Sequence, residues 1–146
     1  MKLQFTVQAK IARPVAEVFD AVYNPGTLSR YFTTGSASGP LDEGATVIWK
    51  FADYPDDIPV KVKKVVPNRL IVLEWESGEG GYDTRAELEF QSLGKDSTLV
   101  RISESGWKPT EKGLEKSYEN CHGWTQMSCC LKAWLEHGIN LRDGFY

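Results

Sequence analysis

The sequence predicts an α+β domain in which a curved antiparallel sheet wraps around one long C-terminal helix, with two short helices after the first strand. Three observations carry this. The stretch Thr110 to Gly138 places Leu114, Tyr118, Cys121, Trp124, Met127, Leu131, Leu135 and Ile139 at steps of three and four, the period of one helix face. Most of the chain before it reads as short runs in which apolar and polar residues alternate, the pattern of half-buried strands. A helix of about 25 residues is roughly 38 Å long, and burying its stripe needs a broad, curved sheet.

Taken in order, Leu3, Phe5, Val7, Ala9 and Ile11 alternate with Lys2, Gln4, Thr6, Gln8 and Lys10 as a first strand. Arg13-Pro14 ends it, and Pro14 suits the start of a helix. Val15, Val18, Phe19 and Val22 share one face of that helix, which Asn24-Pro25-Gly26 breaks. Leu28, Tyr31 and Phe32 mark a second short helix. Thr33 to Gly39 reads as a loop or weak strand. Asp42-Glu43-Gly44 turns into a strand with Val47, Trp49 and Phe51 on one face. Val60, Val62 and Val65 mark the next strand. Ile71, Leu73 and Trp75 form one face of another, before the glycine-rich loop Ser77 to Gly81, which is expected to be mobile. Thr84, Ala86, Leu88 and Phe90 pair through a turn at Gly94-Lys95-Asp96 with Thr98, Val100, Ile102 and Glu104.

The 146 residues fit one domain, 1–146. A net charge of −3 and the lack of a Lys/Arg run argue against nucleic acid as a partner. The first residues, MKLQFTVQAKI, have no apolar core of a signal peptide, and no run reaches the roughly 20 apolar residues of a membrane span. Cys121, Cys129 and Cys130 all lie on the proposed helix. Cys121 and Cys129 would be about 12 Å apart, too far for a disulfide. Free thiols point to a cytoplasmic protein.

Several short stretches carry a family resemblance. Ile11-Ala12-Arg13-Pro14 with Val15 and Val18-Phe19 is similar to the start of a first helix. Leu28 to Phe32 is similar to a second, with Tyr31-Phe32 where Trp-Phe is usual. Leu41-Asp42-Glu43-Gly44 is similar to the turn before the third strand. Val66-Pro67-Asn68-Arg69-Leu70 with Glu74-Trp75 is the most recognisable stretch, and Gly123-Trp124 with Leu131 and Leu135-Glu136 resembles the last helix. In this order the chain resembles the START/birch-pollen-allergen (SRPBCC) superfamily, and within it the branch of heat-shock-protein-90 ATPase activator homologues (AHSA-like). The resemblance implies the helix-grip fold. It also implies a choice among lipid carriers, hormone receptors, polyketide cyclases and chaperone cofactors, which fold alone does not make.

Candidate site residues follow from the strand and helix faces. Trp49, Phe51, Leu73, Trp75 and Phe90 project from inner sheet faces, and Trp124 and Met127 from the helix. Together they either wall an apolar cavity, with Tyr118 as its hydrogen-bonding tip, or meet and fill the space. The glycine loop is a candidate lid. Glu104 alternates onto the inner face, as a polar anchor or general acid/base, unless the strand bulges near Gly106 and frees it to solvent. His122 is its candidate proton-transfer partner, or else a residue on the helix flank. No cofactor or metal is expected, because no phosphate-binding glycine loop and no metal-spaced His/Cys cluster is present. Arg85, Arg101, Lys61 and Lys63 face outward, and Asp53, Asp56 and Asp57 read as a solvated turn. The tail Asn140 to Tyr146 is expected to pack on the body of the same chain.

Three functions fit: binding or sensing of a small hydrophobic, aromatic or lipid-like molecule; a protein-interaction module; and a cyclase- or hydrolase-type enzyme using Glu104 with His122 or Tyr118. The expected partner is a small hydrophobic molecule or a protein, and the chain is a monomer or homodimer.

Overall fold

The computed structural model describes residues 1–146. In chain order it has β1 (Leu3–Ile11), α1 (Val15–Tyr23), α2 (Pro25–Tyr31), β2 (Ser36–Ala37), β3 (Thr46–Lys50), β4 (Ile58–Val66), β5 (Leu70–Glu76), β6 (Asp83–Gly94), β7 (Ser97–Trp107) and α3 (Glu111–His137). Seven strands form one antiparallel sheet in the order β1-β7-β6-β5-β4-β3-β2. The helix pair α1–α2 carries the chain from the β1 edge to the β2 edge, so the sheet bends around α3. This is the α+β helix-grip arrangement that the sequence predicts.

Local chemistry accounts for the boundaries. Asn24 ends α1 and caps α2, its side chain accepting from the Gly26 N–H at 2.9 Å, with Pro25 opening the helix. Thr110 caps α3 by accepting from the Gly113 N–H at 3.0 Å. Gly138 closes α3 in the left-handed region at φ 68°, the conformation glycine tolerates best. A register shift between β1 and β7 falls at Leu3/Gln4, opposite Trp107 and Ser105. The irregularity therefore lies beyond Glu104, whose pairing with Phe5 and Ala86 is regular.

The sheet's inner face and α3 enclose a core that includes Ile71, Leu73, Leu88, Ile102, Met127 and Leu131, all fully buried. The first half of α3 departs from the predicted stripe. Gly113 and Ser117 are buried, whereas Tyr118 is 67% exposed; Trp124 is buried as the stripe predicts. Small residues let the helix start pass close to the chain that leads into it: a Cβ on Gly113 would sit 2.0 Å from the Lys108 carbonyl oxygen. The small, polar side of the helix start faces inward, and Tyr118 faces out.

The far end of α3 is tied to the β1–α1 junction. Glu136 accepts from the Ala12 N–H at 3.0 Å and from Lys132 Nζ at 2.6 Å. These two bonds, the lysine first, hold its carboxyl below the ordinary range.

Two outcomes follow for stability. Gly113→Ala should destabilise by about 3 kcal/mol in urea denaturation, since the overlap is with backbone. Gly123→Ala, where a Cβ meets nothing within 4 Å, should stabilise by up to about 1 kcal/mol. A depressed folded-state pKa makes the Glu136 contribution complete above the unfolded carboxyl value and lost as pH falls through the folded one. Glu136→Gln should therefore be less stable than the parent at neutral pH, with the two denaturant midpoints converging below about pH 4.

Candidate functional site

Glu104 is 1% exposed, on β7, the strand next to the β1 edge. Five hydrogen bonds from four side chains reach its two oxygens. Trp75 Nε1 of β5 donates to Oε2 at 2.9 Å. Thr84 Oγ1 of β6 donates to the same oxygen at 2.7 Å. From α3, Trp124 Nε1 donates to Oε1 at 2.7 Å, and Asn120 Nδ2 lies 3.2 and 3.0 Å from the two oxygens. Indole N–H groups can only donate and an ionised carboxylate can only accept, so the partners match the charged acid without any cation. Burying that charge costs several kcal/mol unless its lone pairs are satisfied. Here two neighbouring strands and the helix satisfy them together.

The carboxylate also sets the aromatic geometry. Both indoles are tied to one group, and their rings stack at 5.4 Å with planes 27° apart. Phe32 stacks on Trp124 at 6.1 Å and meets Phe51 edge-on at 5.0 Å. Trp49 stands edge-on to Trp75 at 5.9 Å. Over this group opens a cleft of about 380 Å³, lined by Phe32, Phe51, Tyr54, Ile58, Trp75 and Trp124, with Asp53, Glu119, Asn120, Gly123, Gln126, Arg142 and Tyr146 completing it. The volume is within the roughly 300–1,000 Å³ of small-molecule sites.

The C-terminal tail closes one side. Arg142 Nη2 pairs with Asp53 at 2.7 Å, and Nη1 donates to Gln126 Oε1 at 3.0 Å. Its guanidinium lies 4.6 Å from the centre of the Phe51 ring, a cation–π distance. Tyr146 Oη also donates to Gln126 Oε1, at 2.9 Å. The tail thus packs on its own chain, and Asp53 is an ion-pair partner rather than part of a solvated turn.

Of the residues singled out from sequence, Phe51, Trp75 and Trp124 line the cleft. Trp49, Leu73, Phe90 and Met127 are buried beneath it in the core; Phe90 packs edge-on against Phe19 at 5.2 Å. Tyr118 and His122 lie instead in a separate groove on the outer side of α3 with Cys121, Cys129, Leu141 and Phe145. The rotation of α3 that points Asn120 and Trp124 at Glu104 places them there, and neither hydrogen-bonds to that carboxylate. Trp107 is stacked on Phe5 at 5.7 Å, away from the mouth. The glycine loop is not a lid either: Thr110 Oγ1 donates to Glu79 at 3.2 Å, Tyr82 Oη donates to the same side chain, and the loop lines no part of the cleft. On the outer sheet face, Lys61 pairs with Asp83 at 2.6 Å and Arg85 with Glu74 at 3.2 Å. All three cysteines are free, and burial pushes the Cys130 thiol up, with Arg142 opposing.

Sequence reasoning missed Asn120, Gln126 and Arg142. Asn120 sits four residues before Trp124, so both reach one carboxylate from one helix face; that spacing was the available signal. Nothing local marks Arg142, whose partners are 16 and 89 positions away in the chain.

The model of the family described as "Activator of Hsp90 ATPase homolog 1-like protein" matches residues 12–136. The chain belongs to this family. Solved structures agree on the fold of this AHSA-like domain. Protein SSP2350 from Staphylococcus saprophyticus is 22% identical, with TM-score 0.78, covering 95% of this chain and 96% of that one. The Aha1 dimer from Colwellia psychrerythraea is 20% identical, with TM-score 0.73, covering 92% and 97%. PFC0360w, an HSP90 activator from Plasmodium falciparum, is 22% identical, with TM-score 0.69, covering 85% and 89%. No curated protein matches the chain. No helix is long and apolar enough to cross a membrane.

If Glu104 is the group that orders this site, its removal is costly. Glu104→Ala should lose about 3–5 kcal/mol of stability in denaturant titration, leaving four donors facing one another without an acceptor. Trp75→Phe should cost less, near 1–3 kcal/mol, since one bond is lost while the ring is kept.

Proposed function

We propose that this AHSA-like domain binds a small, flat hydrophobic molecule in the cleft between the sheet and α3, as a carrier or sensor. The observation that supports this most is the pinned aromatic wall: the Trp75 and Trp124 rings are held at a fixed angle by Glu104 beside space of about 380 Å³. Rings whose polar edges are already satisfied present only their faces to a guest, and such preorganisation lowers the cost of binding. Glu104 has its oxygens occupied by four donors, which suits a structural anchor better than proton transfer with His122 or Tyr118 on the far side of the helix. The free thiols of α3 fit a cytoplasmic setting.

A second reading is a protein partner. Family membership and the likeness to a Plasmodium falciparum HSP90 activator favour it. The contact would use an exposed surface and would not need the cleft. The Colwellia psychrerythraea neighbour is a dimer, so a homodimer is among the assemblies to expect. Retention by immobilised Hsp90 with stimulation of its ATPase would favour this reading over the first.

Native mass spectrometry of freshly purified protein tests the first reading. The expected result is a mass excess that disappears on denaturation, or saturable binding of a hydrophobic dye that quenches tryptophan fluorescence. Phe51→Ala should weaken dye binding about tenfold or more with little loss of fold, from the contact area removed. An unadorned mass together with no saturable binding would overturn the reading.

A further inference from the structure

Two residues that line the cleft carry buried polar atoms whose hydrogen-bonding capacity is unused. Gln126 Oε1 accepts from both Arg142 Nη1 and Tyr146 Oη. That double acceptance fixes the amide's orientation and turns Nε2 the other way, where it has no partner. Arg142 Nε is also without an acceptor. Both side chains are more than nine-tenths buried, at 6% and 9% exposure, and both line the cleft. A buried donor without an acceptor costs about 1–3 kcal/mol, so a guest that supplies an acceptor recovers it. The indole and Asn120 donors nearby are already engaged by Glu104.

Charge narrows the guest further. Arg142 is the one cation among the lining residues, and Asp53 already pairs with it. Glu119, the other lining carboxylate, is paired with Lys116 at 2.9 Å. An anionic guest would find no unpaired cation, so its desolvation would go uncompensated. A neutral oxygen has no such difficulty and can accept from an amide N–H and a guanidinium N–H. The tail that carries Arg142 has neither helix nor strand. It is the part of the lining able to shift when a guest enters.

We propose that the cleft selects a neutral, flat aromatic molecule bearing an oxygen acceptor such as a ketone, its rings against Trp75 and Trp124 and its oxygen toward Gln126 Nε2 and Arg142 Nε. This rests on the cleft being a ligand site. Three matched probes separate the two questions: naphthalene, 2-acetylnaphthalene and 2-naphthoate, titrated against tryptophan fluorescence. The ketone should bind about tenfold tighter than naphthalene, and the carboxylate more weakly than the ketone. Gln126→Glu keeps an acceptor for Arg142 and Tyr146 while removing the free donor. It should cut the ketone's advantage over naphthalene to about threefold, the part that Arg142 Nε still supplies. Infrared spectra of the bound ketone should show its C=O stretch lowered relative to hexane. Equal affinities for ketone and hydrocarbon, a preference for the carboxylate, an advantage undiminished in Gln126→Glu, or an unshifted carbonyl would each overturn the proposal while leaving the cleft as a ligand site. Binding of none of the three would overturn both.

Discussion

The structure depends on a buried carboxylate that no cation neutralises. Glu104 sits where three strands and the long helix meet, and its acceptor capacity is divided among Trp75, Thr84, Asn120 and Trp124. Hydrophobic contact between sheet and helix is non-directional and would tolerate many helix rotations. Hydrogen bonds to one buried charge tolerate few, because each misaligned donor leaves part of that charge unmatched. The carboxylate therefore fixes what apolar packing leaves loose: the rotation of α3 and the angle of two indole rings.

That rotation determines what the cleft contains. Gly113 and Ser117 let the first half of α3 settle close to neighbouring backbone, and Asn120 and Trp124 then point at Glu104. Phe51 and Phe32 complete the aromatic side. The opposite side comes from elements with little structure of their own, Asp53 in a loop and Arg142 in the tail, joined by a partly buried ion pair. One wall is rigid because it is built on helix and sheet. The other is held by a latch of one ion pair and two bonds to Gln126.

Membership of the activator-homologue family fits this division. The helix-grip frame is what the relatives share at about a fifth sequence identity. The groups proposed to recognise a guest lie partly on that frame, as Trp75 of β5 and Trp124 of α3, and partly on a loop and the tail, where substitution disturbs the frame least. Function in such a family belongs to those side chains and not to the fold.

The fold was legible in the sequence because it rests on local regularities. Alternation along Leu3–Ile11 and Thr84–Phe90, the break at Asn24-Pro25-Gly26, the Thr110 cap and the Gly138 stop each act within a few residues. The inward direction of Glu104 was also readable, as one of two alternatives, from its register with Val100 and Ile102. What the pattern misjudged was the helix face around Tyr118, where an apolar residue on the stripe was outweighed by the close approach that glycine permits. The pattern could not reveal the unpartnered Gln126 amide or the Asp53–Arg142 pair, since these join segments up to 89 positions apart. By itself the sequence determined the elements, their order and the aromatic character of the inner faces, all products of short-range periodicity. Only the tertiary structure decided which aromatics border open space and which polar atoms are left without a partner, because both depend on how distant segments fill one volume.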